Sequence, residues 1–500
     1  MERPSPHTPS LGQAFLLLAA LTLLLFVIRV AGPSDLLDSD QERPAAYVLD
    51  AVINGHWWCQ SDWTGDVMSK PPLFAWIGAA ATVAAGQASL WTLYSPCLAA
   101  MLLTVGLLLY FGGRRFGPAA GFLAGLVYLL SPSGVKHIAL ARTDALFAAT
   151  ITLTGLMGFL AWQRRRSWVW FWLAAALSTL AKGPLGLLLG SLGFLAALWN
   201  RVLPPGSAKD QESQPSPPGG HTLGIALFLM ITVGWFWLAY RQAGQAFIDK
   251  VILRELVGHI VDREYGSRWG GLTRAPLYWL SRFLPWSLLA IAGLWRAVRQ
   301  PAREAGERNF ERFLCCWLVG GLIAFSLATH QRGDLELPLN SASALLAGRE
   351  LAFWLKGLSW ERLLRRGLAW TVVALAAYAA YLNLVFARHW EVRQSEGVRA
   401  CARRLAAIPS RPPMLYLDSP YALQFYLGTM NRQVGIDAAA AALKSGSPRA
   451  VAVAGYDLPA LTQALGQTVK LHQLGVCPGS AEGATVVILS NQPVTPLTRR

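Results

Sequence analysis

Residues 11–30 read LGQAFLLLAALTLLLFVIRV, and the fold follows most directly from this stretch. Gln13 and Arg29 are its only strongly polar residues, and as a helix it would be about 30 Å long, the thickness of the hydrocarbon core of a bilayer. The alternative is a cleaved secretory signal peptide. Because the apolar run is long and Ala31-Gly32-Pro33 is a poor cleavage site, the sequence favours an uncleaved first transmembrane span.

The overall composition agrees with a membrane protein. The 500 residues include 44 Lys and Arg against 28 Asp and Glu, a formal charge of +16, yet only 14% of residues are charged and 54% are hydrophobic. A soluble chain would be about a quarter charged. Disorder is excluded by the apolar content, and six Cys in 500 residues exclude a small disulfide-stapled protein. Since the arginines occur in short clusters between apolar runs, the pattern indicates a polytopic membrane protein rather than a nucleic-acid-binding one.

Ten further apolar runs are candidate spans, near residues 91–111, 118–135, 144–161, 168–181, 184–200, 222–240, 276–295, 313–329, 336–352 and 367–387. The run 71–86 is short and opens with Pro71-Pro72, which favours a helix at the membrane interface or a re-entrant one. With that run outside the membrane and a cytoplasmic N-terminus, the Arg clusters all face the cytoplasm. The sequence therefore predicts eleven transmembrane helices and an extracytoplasmic C-terminus.

This topology predicts a transmembrane domain over residues 1–388 and a soluble extracytoplasmic domain over 389–500. The transmembrane part has two long outer loops, 32–90 and 241–275. In the tail, strand-like runs begin at Met414, Ala450 and Ala484 and alternate with helix-like stretches, which predicts a small α/β domain. Cys401 and Cys477 both lie in it, and their spacing fits a disulfide or two unpaired thiols equally well.

Charged residues that cluster beside spans are candidates for function. Asp40 and Arg43 follow the first span and would share one face of a helix. A solvated turn whose acid caps the helix is the simpler interpretation. Lys70 precedes Pro71-Pro72 at the start of a helix, where a positive charge is unfavourable unless an anion joins it. The alternative is a lysine that reaches the membrane interface.

More candidates lie on the same predicted side of the membrane, and they are Arg142, Asp144, Lys182, Arg254, Glu255 and Arg332. Asp144 can also be a helix cap, and Lys182-Gly183-Pro184 can be a tight turn between two spans. Together, acids and several cations beside interfacial tryptophans suit a substrate with a lipid tail and a phosphate. The sequence has no motif for soluble nucleotide or metalloprotease chemistry.

Over residues 12–350 the sequence resembles the GT-C polyprenyl-phosphate-dependent glycosyltransferases, specifically glycosyltransferase family 39. That family includes protein O-mannosyltransferases and the aminoarabinose transferases that modify lipid A. The resemblance rests on short motifs that occur in order: Asp40-x-x-Arg43, Asn54-Gly55-His56-Trp57-Trp58, Lys70-Pro71-Pro72-Leu73-x-x-Trp76, Arg142-Thr143-Asp144, Thr179-x-x-Lys182-Gly183-Pro184, Arg254-Glu255 and Leu284-Pro285-Trp286. The resemblance implies an α-helical membrane protein of the GT-C type. The predicted α/β tail fits the aminoarabinose-transferase branch of the family.

The resemblance implies inverting transfer of a sugar from a polyprenyl-phosphate donor to a lipid A-like lipid, a cell-envelope glycan or a protein. The reaction would occur at the outer face of the inner (cytoplasmic) membrane. Asp40 is expected to be the general base, Arg43 and Lys70 to stabilise the leaving phosphate, and Asp144 to hold one of these cations. The expected substrate-binding residues are Arg142, Lys182, Arg254, Glu255 and Arg332. A transporter or flippase of lipid-linked sugars is the alternative, and it would not need Asp40 as a base.

The sequence departs from the family pattern at several positions. Gln41 stands where the family has Glu, and Ser69 precedes Lys70 where the aminoarabinose branch has Glu. Leu256 replaces the His that follows Glu255, so the divalent-metal site suggested for that branch lacks matching ligands and no cofactor is assigned. The family's Lys-x-x-x-Tyr-x-x-Pro reads QRGDLELP over 331–338, where Arg332 is the nearest cation and the Tyr is absent. These changes affect the expected sugar and acceptor rather than the reaction class.

Overall fold

The computed structural model describes residues 10–37, 39–163, 165–203, 219–258, 268–328, 331–356, 360–467 and 469–493. The chain forms two compact units. Unit 1 comprises Met1–Val27, Ser69–Phe74 and Pro96–Leu375, and unit 2 comprises Ile28–Met68, Ala75–Ser95 and Ala376–Arg500. The predicted boundary at residue 388 stays a prediction. The first outer loop, apart from Ser69–Phe74, belongs to the same unit as the tail.

Within its described residues, unit 1 contains helices and no strands, and the first and last of its helices continue into unit 2. Its helices are Leu11–Ala31, Ser95–Phe116, Pro118–Leu129, Pro132–His137, Asp144–Trp162, Val169–Lys182, Leu185–Ser191, Ala196–Val202, His221–Ala243, Gln245–Phe247, Arg268–Arg282, Trp286–Arg299, Ala305–Leu327, Asn340–Trp354 and Trp360–Leu384. Two 3₁₀ segments (Leu192–Leu195 and Gly333–Leu339) and one π-helical segment (Ile248–Gly258) join them. Helices satisfy their own backbone hydrogen bonds, which is the condition for crossing lipid.

The predicted polytopic helical fold is confirmed, and the count of eleven spans is not. Within the described residues, seven helices are long and apolar enough to cross a membrane, or eight if a bent pair counts as one span. The pair is Leu272–Arg282 and Trp286–Arg299, bent by 112° at a break that contains Pro285. The runs predicted near 118–135, 168–181 and 336–352 form helices of only 12, 14 and 15 residues. The run 71–86, which the sequence places outside the membrane, forms the 13-residue helix Leu73–Ala85.

Small residues allow the unit 1 helices to approach closely. A Cβ on Gly348 would lie 2.5 Å from the backbone nitrogen of Ala124, so helix Asn340–Trp354 packs directly on helix Pro118–Leu129. Buried hydroxyls link further helices, since Thr152 and Ser341 share a hydrogen bond of 2.6 Å and Trp279 donates to Ser343 at 3.0 Å. Glycine contacts and hydroxyl bonds of this kind hold helices together where lipid supplies no hydrophobic driving force.

Unit 2 contains the predicted α/β tail. Its sheet has the order β1-β2-β4-β3, with β1 Met414–Leu417, β2 Ala450–Ala454, β3 His472–Pro478 and β4 Thr485–Ser490. β1 and β2 are parallel, and the β2–β4 and β4–β3 pairs are antiparallel. The described helices of this unit are Ser39–Ile53, Leu73–Ala85, Leu90–Leu93, Phe386–Arg388 (3₁₀), Trp390–Ala406, Tyr421–Leu427, Ile436–Lys444 and Leu458–Leu465. The sequence pattern predicted β1, β2, β4 and all three helices between Tyr421 and Leu465, and it missed β3.

Of the two alternatives for the tail cysteines, the structure has the disulfide. Cys401 on helix Trp390–Ala406 is bonded to Cys477 on β3. The bond ties the helix that enters the tail to the edge strand of its sheet. Disulfides persist in oxidising compartments, so the bond favours a tail outside the cytoplasm.

Candidate functional site

Four basic side chains and two aspartates form one ion-pair network in unit 1. Asp144 is paired with Lys182, and its Oδ2 lies 3.2 Å from Nε of Arg142. Arg142 also reaches Asp334, with Nη1 to Oδ2 at 3.2 Å. Lys136 and Arg282 complete the network on Asp334 Oδ1, at 2.8 and 3.0 Å. The structure thus brings together the predicted residues Arg142, Asp144 and Lys182.

Helix ends position this network. Asp144 is the first residue of helix Asp144–Trp162, where its charge also favours the helix dipole. Lys182 is the last residue of helix Val169–Lys182, which ends at Gly183 with φ +105°. Such a φ favours glycine and stops the helix there. The two charges therefore meet because one helix starts beside the point where the other ends.

The pKa values next to the network follow from its cations and from burial. Burial acts to raise the pKa of the Asp334 carboxyl. The hydrogen bond from Lys136 and the charge of Lys136 outweigh this effect, so the pKa is lowered. Burial lowers the pKa of His137, which lies beside Lys136 and donates from Nδ1 to the carbonyl of Ser133. The carboxylate is therefore ionised and the imidazole neutral at pH 7, which leaves the network with four positive and two negative charges.

Lys70 and Glu255 form a second pair in unit 1. Their Nζ and Oε2 atoms lie 2.6 Å apart, and both side chains are partly exposed. Glu255 lies on the π-helical segment beside Arg254, which is exposed. Of the predicted loop 241–275, residues 259–267 lie outside the described residues. The pair fixes the position of the Lys70 ammonium while leaving it accessible.

Arg332 lies close to a buried acid. It lines a narrow crevice with Gln331 and Glu336, and it is itself exposed. Burial raises the pKa of Glu336 to about 8, although the charge of Arg282 acts in the opposite direction. Glu336 is therefore largely protonated at neutral pH. It was not among the candidates predicted from the sequence.

Asp40 and Arg43 lie on helix Ser39–Ile53 of unit 2. Asp40 is in the first turn of this helix and is exposed. Nε of Arg43 lies 3.7 Å from Oδ2 of the buried Asp62. Oδ1 of Asp62 accepts from the backbone nitrogens of Thr64 and Asp66, so Asp62 is held in a turn. Arg43 is thus oriented by a carboxylate that the sequence analysis did not select.

Two buried acids anchor the helix that carries Asp40. Glu42 accepts from the backbone nitrogen of Ala422 at 2.9 Å. Asp50 accepts from Ser61 N at 2.7 Å and from Asn54 Nδ2 at 2.8 Å, which fixes the loop after the helix. These bonds tie the helix to the tail on one side and to its own loop on the other.

The described residues contain no group of three or more His, Cys, Asp or Glu side chains that could hold a metal ion. The metal ligands of the aminoarabinose branch are matched neither at Ser69 nor at Leu256. The residues present therefore do not fit that metal, and no step is assigned to one.

Comparison with known proteins places this architecture. Residues 69–210 match the family model for dolichyl-phosphate-mannose-protein mannosyltransferase. The crystal structure of ArnT from Cupriavidus metallidurans bound to undecaprenyl phosphate is similar over 97% of this chain and 99% of that chain, with a TM-score of 0.70 and 19% identity. The apo structure of the same protein matches over 95% and 97%, with a TM-score of 0.64 and 19% identity. The chain therefore has the fold of these ArnT structures, and its segment 69–210 is similar to the mannosyltransferase family. No protein of curated function matches the sequence.

Sequence reasoning missed three members of the unit 1 network, which are Lys136, Arg282 and Asp334. Asp334 and Arg282 are separated by 52 residues, and Lys136 and Asp334 by 198. No local spacing links them. One feature of the sequence could have pointed to Asp334. It lies in the segment 331–338, where the sequence departs from the motif of glycosyltransferase family 39.

Proposed function

We propose that this chain is a membrane glycosyltransferase that moves a sugar from a polyprenyl-phosphate donor to an acceptor hydroxyl. The observation that carries the proposal is the net positive network around Asp144 and Asp334, in a fold shared with a protein whose structure holds undecaprenyl phosphate. Within the described residues, four cations and two carboxylates make this network net positive, which favours a phosphate. Arginine and lysine are the side chains that bind phosphate most strongly.

The proposed reaction is a single displacement. The acceptor oxygen forms a bond to the anomeric carbon as the bond from that carbon to the phosphate oxygen breaks, so the configuration inverts. The electron pair leaves with the polyprenyl phosphate, and the acceptor proton goes to the Asp40 carboxylate. Lys70 and Arg43, with Arg254 and Arg332 as further candidates, would stabilise the phosphate as its charge grows. Asp144 would hold Arg142 and Lys182 in place.

The proposed location is the inner (cytoplasmic) membrane, with the tail and the reacting groups on the extracytoplasmic side. The Arg clusters between spans and the Cys401–Cys477 disulfide support this orientation. Donor and site would then lie on the same side, so no nucleotide sugar is required. The acceptor class proposed is a lipid A-like lipid, a cell-envelope glycan or a protein.

Release of free polyprenyl phosphate from a panel of polyprenyl-phosphate sugars tests the function. Wild type and Asp40→Asn are compared in nanodiscs, with a crude membrane extract as acceptor. Asp437→Asn is the matched control, because Asp437 is also an exposed acid in the first turn of a helix. We expect release by wild type and the control and at least 100-fold less by Asp40→Asn. Equal release by both Asp variants would remove Asp40 from the mechanism, and donor binding without turnover would indicate the transporter.

A further inference from the structure

A polar cleft lies at the end of unit 1 opposite the Asp144 network. It forms where helices Ser95–Phe116 and Asp144–Trp162 end and helix Ala305–Leu327 begins. Asp144 starts the second of these helices, so about 27 Å of helix separates it from the cleft. The cleft has a volume of about 180 Å³ and is lined by Tyr110, Phe111, Arg114, Arg115, Leu160, Arg165, Glu304 and Glu307. None of these residues takes part in the proposed reaction.

Three arginines of the cleft form no direct ion pair with a described acid, although Glu304 and Glu307 line the same cleft. Within the described residues, no carboxylate oxygen lies within ion-pair distance of Arg114, Arg115 or Arg165. Arg114 lies 5.6 Å from the centre of the Tyr110 ring, and Arg115 lies 5.1 Å from the centre of the Phe159 ring. Stacking on rings orients a guanidinium before a ligand arrives, which reduces the entropy lost on binding.

The two acids of the cleft are not equivalent. Oε1 of Glu307 lies 3.9 Å from Nε of Arg349, so a cation outside the lining already offsets its charge. Glu304 is exposed, and in the described part of the chain it has no cation within ion-pair distance. The cleft therefore offers three arginines to an anion and one carboxylate to a cation.

We propose that this cleft binds the headgroup of a zwitterionic phospholipid of the phosphoethanolamine type. The phosphate would lie between Arg114, Arg115 and Arg165, and the ammonium would face Glu304. Arginine clusters at the ends of spanning helices are suited to phosphate headgroups. A lipid is favoured over a free phosphate compound because the cleft lies where two candidate spanning helices end, and because the Tyr110 side chain beside it is 47% exposed. This site does not depend on the proposed transferase activity.

Binding of acyl-chain-labelled phosphatidylethanolamine to the purified full chain in detergent tests the proposal. The cleft variant replaces Arg114, Arg115 and Arg165 by Gln. Its matched control replaces Arg201, Arg299 and Arg303 by Gln, which removes the same charge from residues outside the cleft. We expect the dissociation constant to rise at least tenfold in the cleft variant and less than twofold in the control. Equal binding by the cleft variant and wild type would overturn the proposal.

Two further variants distinguish the effect of arginine position from that of arginine charge, and test which lipid headgroup is bound. A Cβ on Gly306 would lie 2.9 Å from Nη1 of Arg115, so Gly306→Ala displaces this guanidinium without changing the charge or weakening the helix. It is expected to weaken binding several-fold, and it covers the case in which the triple variant folds poorly. Glu304→Gln should weaken phosphatidylethanolamine binding and leave phosphatidylglycerol binding unchanged. An unchanged preference would overturn the ammonium contact, and displacement by inorganic phosphate as efficient as by lipid would overturn the lipid occupant.

Discussion

At the scale of single residues, the carboxylate of Glu255 holds the Lys70 ammonium. If Lys70 stabilises the leaving phosphate, Lys70→Met should lower kcat/KM about 100-fold or more, the usual effect of removing one preorganised group that stabilises charge. Glu255→Gln keeps the ammonium but loosens it, and about a tenfold loss is expected. Steady-state release of polyprenyl phosphate measures both, with the exposed tail residue changed in Lys444→Met as the control. A larger loss from Glu255→Gln than from Lys70→Met would contradict this order of roles.

Asp144 is a second single residue whose charge matters, because it compensates the charges of neighbouring cations. Its side chain is only 5% exposed and contacts both Lys182 and Arg142. Asp144→Asn leaves two largely buried cations without this partner and should destabilise the fold by about 3 kcal/mol. The double variant Asp144→Asn with Lys182→Met should recover part of that loss, because one unpaired cation is gone. Thermal unfolding in detergent gives the comparison, and additive losses would show that the two residues are not coupled.

At the scale of elements, the contact of helices Asn340–Trp354 and Pro118–Leu129 depends on Gly348. A Cβ there would lie 2.5 Å from a backbone atom, which cannot move as a side-chain tip can. Gly348→Val should therefore separate the helices and cost about 3 kcal/mol or more. Gly367→Ala is the control, since no atom lies within 4 Å of its Cβ position in helix Trp360–Leu384. Its melting temperature should stay equal or rise slightly, because Ala favours a helix more than Gly does. A similar fall in both variants would contradict a specific role for the close contact at Gly348.

The tail's own stability depends on the link between helix Trp390–Ala406 and β3. The Cys401–Cys477 disulfide closes a loop with a sequence separation of 76 residues. In the chain-entropy model a loop of this length stabilises by about 4 kcal/mol, so Cys401→Ser with Cys477→Ser should unfold the tail at a lower temperature. Reductant should have the same effect on wild type and none on the double variant. Cys316→Ser removes an unpaired thiol and serves as the control.

At the scale of the whole molecule, composition and Arg clusters were sufficient to predict a polytopic helical protein with an α/β tail. They could not give the span count, because helices such as Pro118–Leu129 end earlier than their apolar runs do. Local motifs also placed Arg142 and Asp144 together. The partnership of Arg142 with Asp334 spans 192 residues and depends on helix packing that no short pattern encodes. The strand His472–Pro478 was missed because its alternation is weak, with several half-exposed residues.

The membrane topology can be tested by determining on which side of the membrane each terminus lies. Seven long helices, one bent pair and the three shorter helices Pro118–Leu129, Val169–Lys182 and Asn340–Trp354 would together give eleven crossings. An odd number of crossings places the two termini on opposite sides of the membrane. We therefore expect alkaline phosphatase, which is active only after export, to be active when fused after residue 493. The same reporter fused after Arg299, beside the Arg clusters, should be inactive, and a fluorescent protein that folds in the cytoplasm should show the reverse pattern. An inactive fusion at the tail would require an even number of crossings, which would follow if one of the three shorter helices does not cross. The tail would then lie in the reducing cytoplasm, where the Cys401–Cys477 disulfide would not persist. We therefore expect an active tail fusion to go with an oxidised Cys401 in cells, and an inactive one with a reduced Cys401.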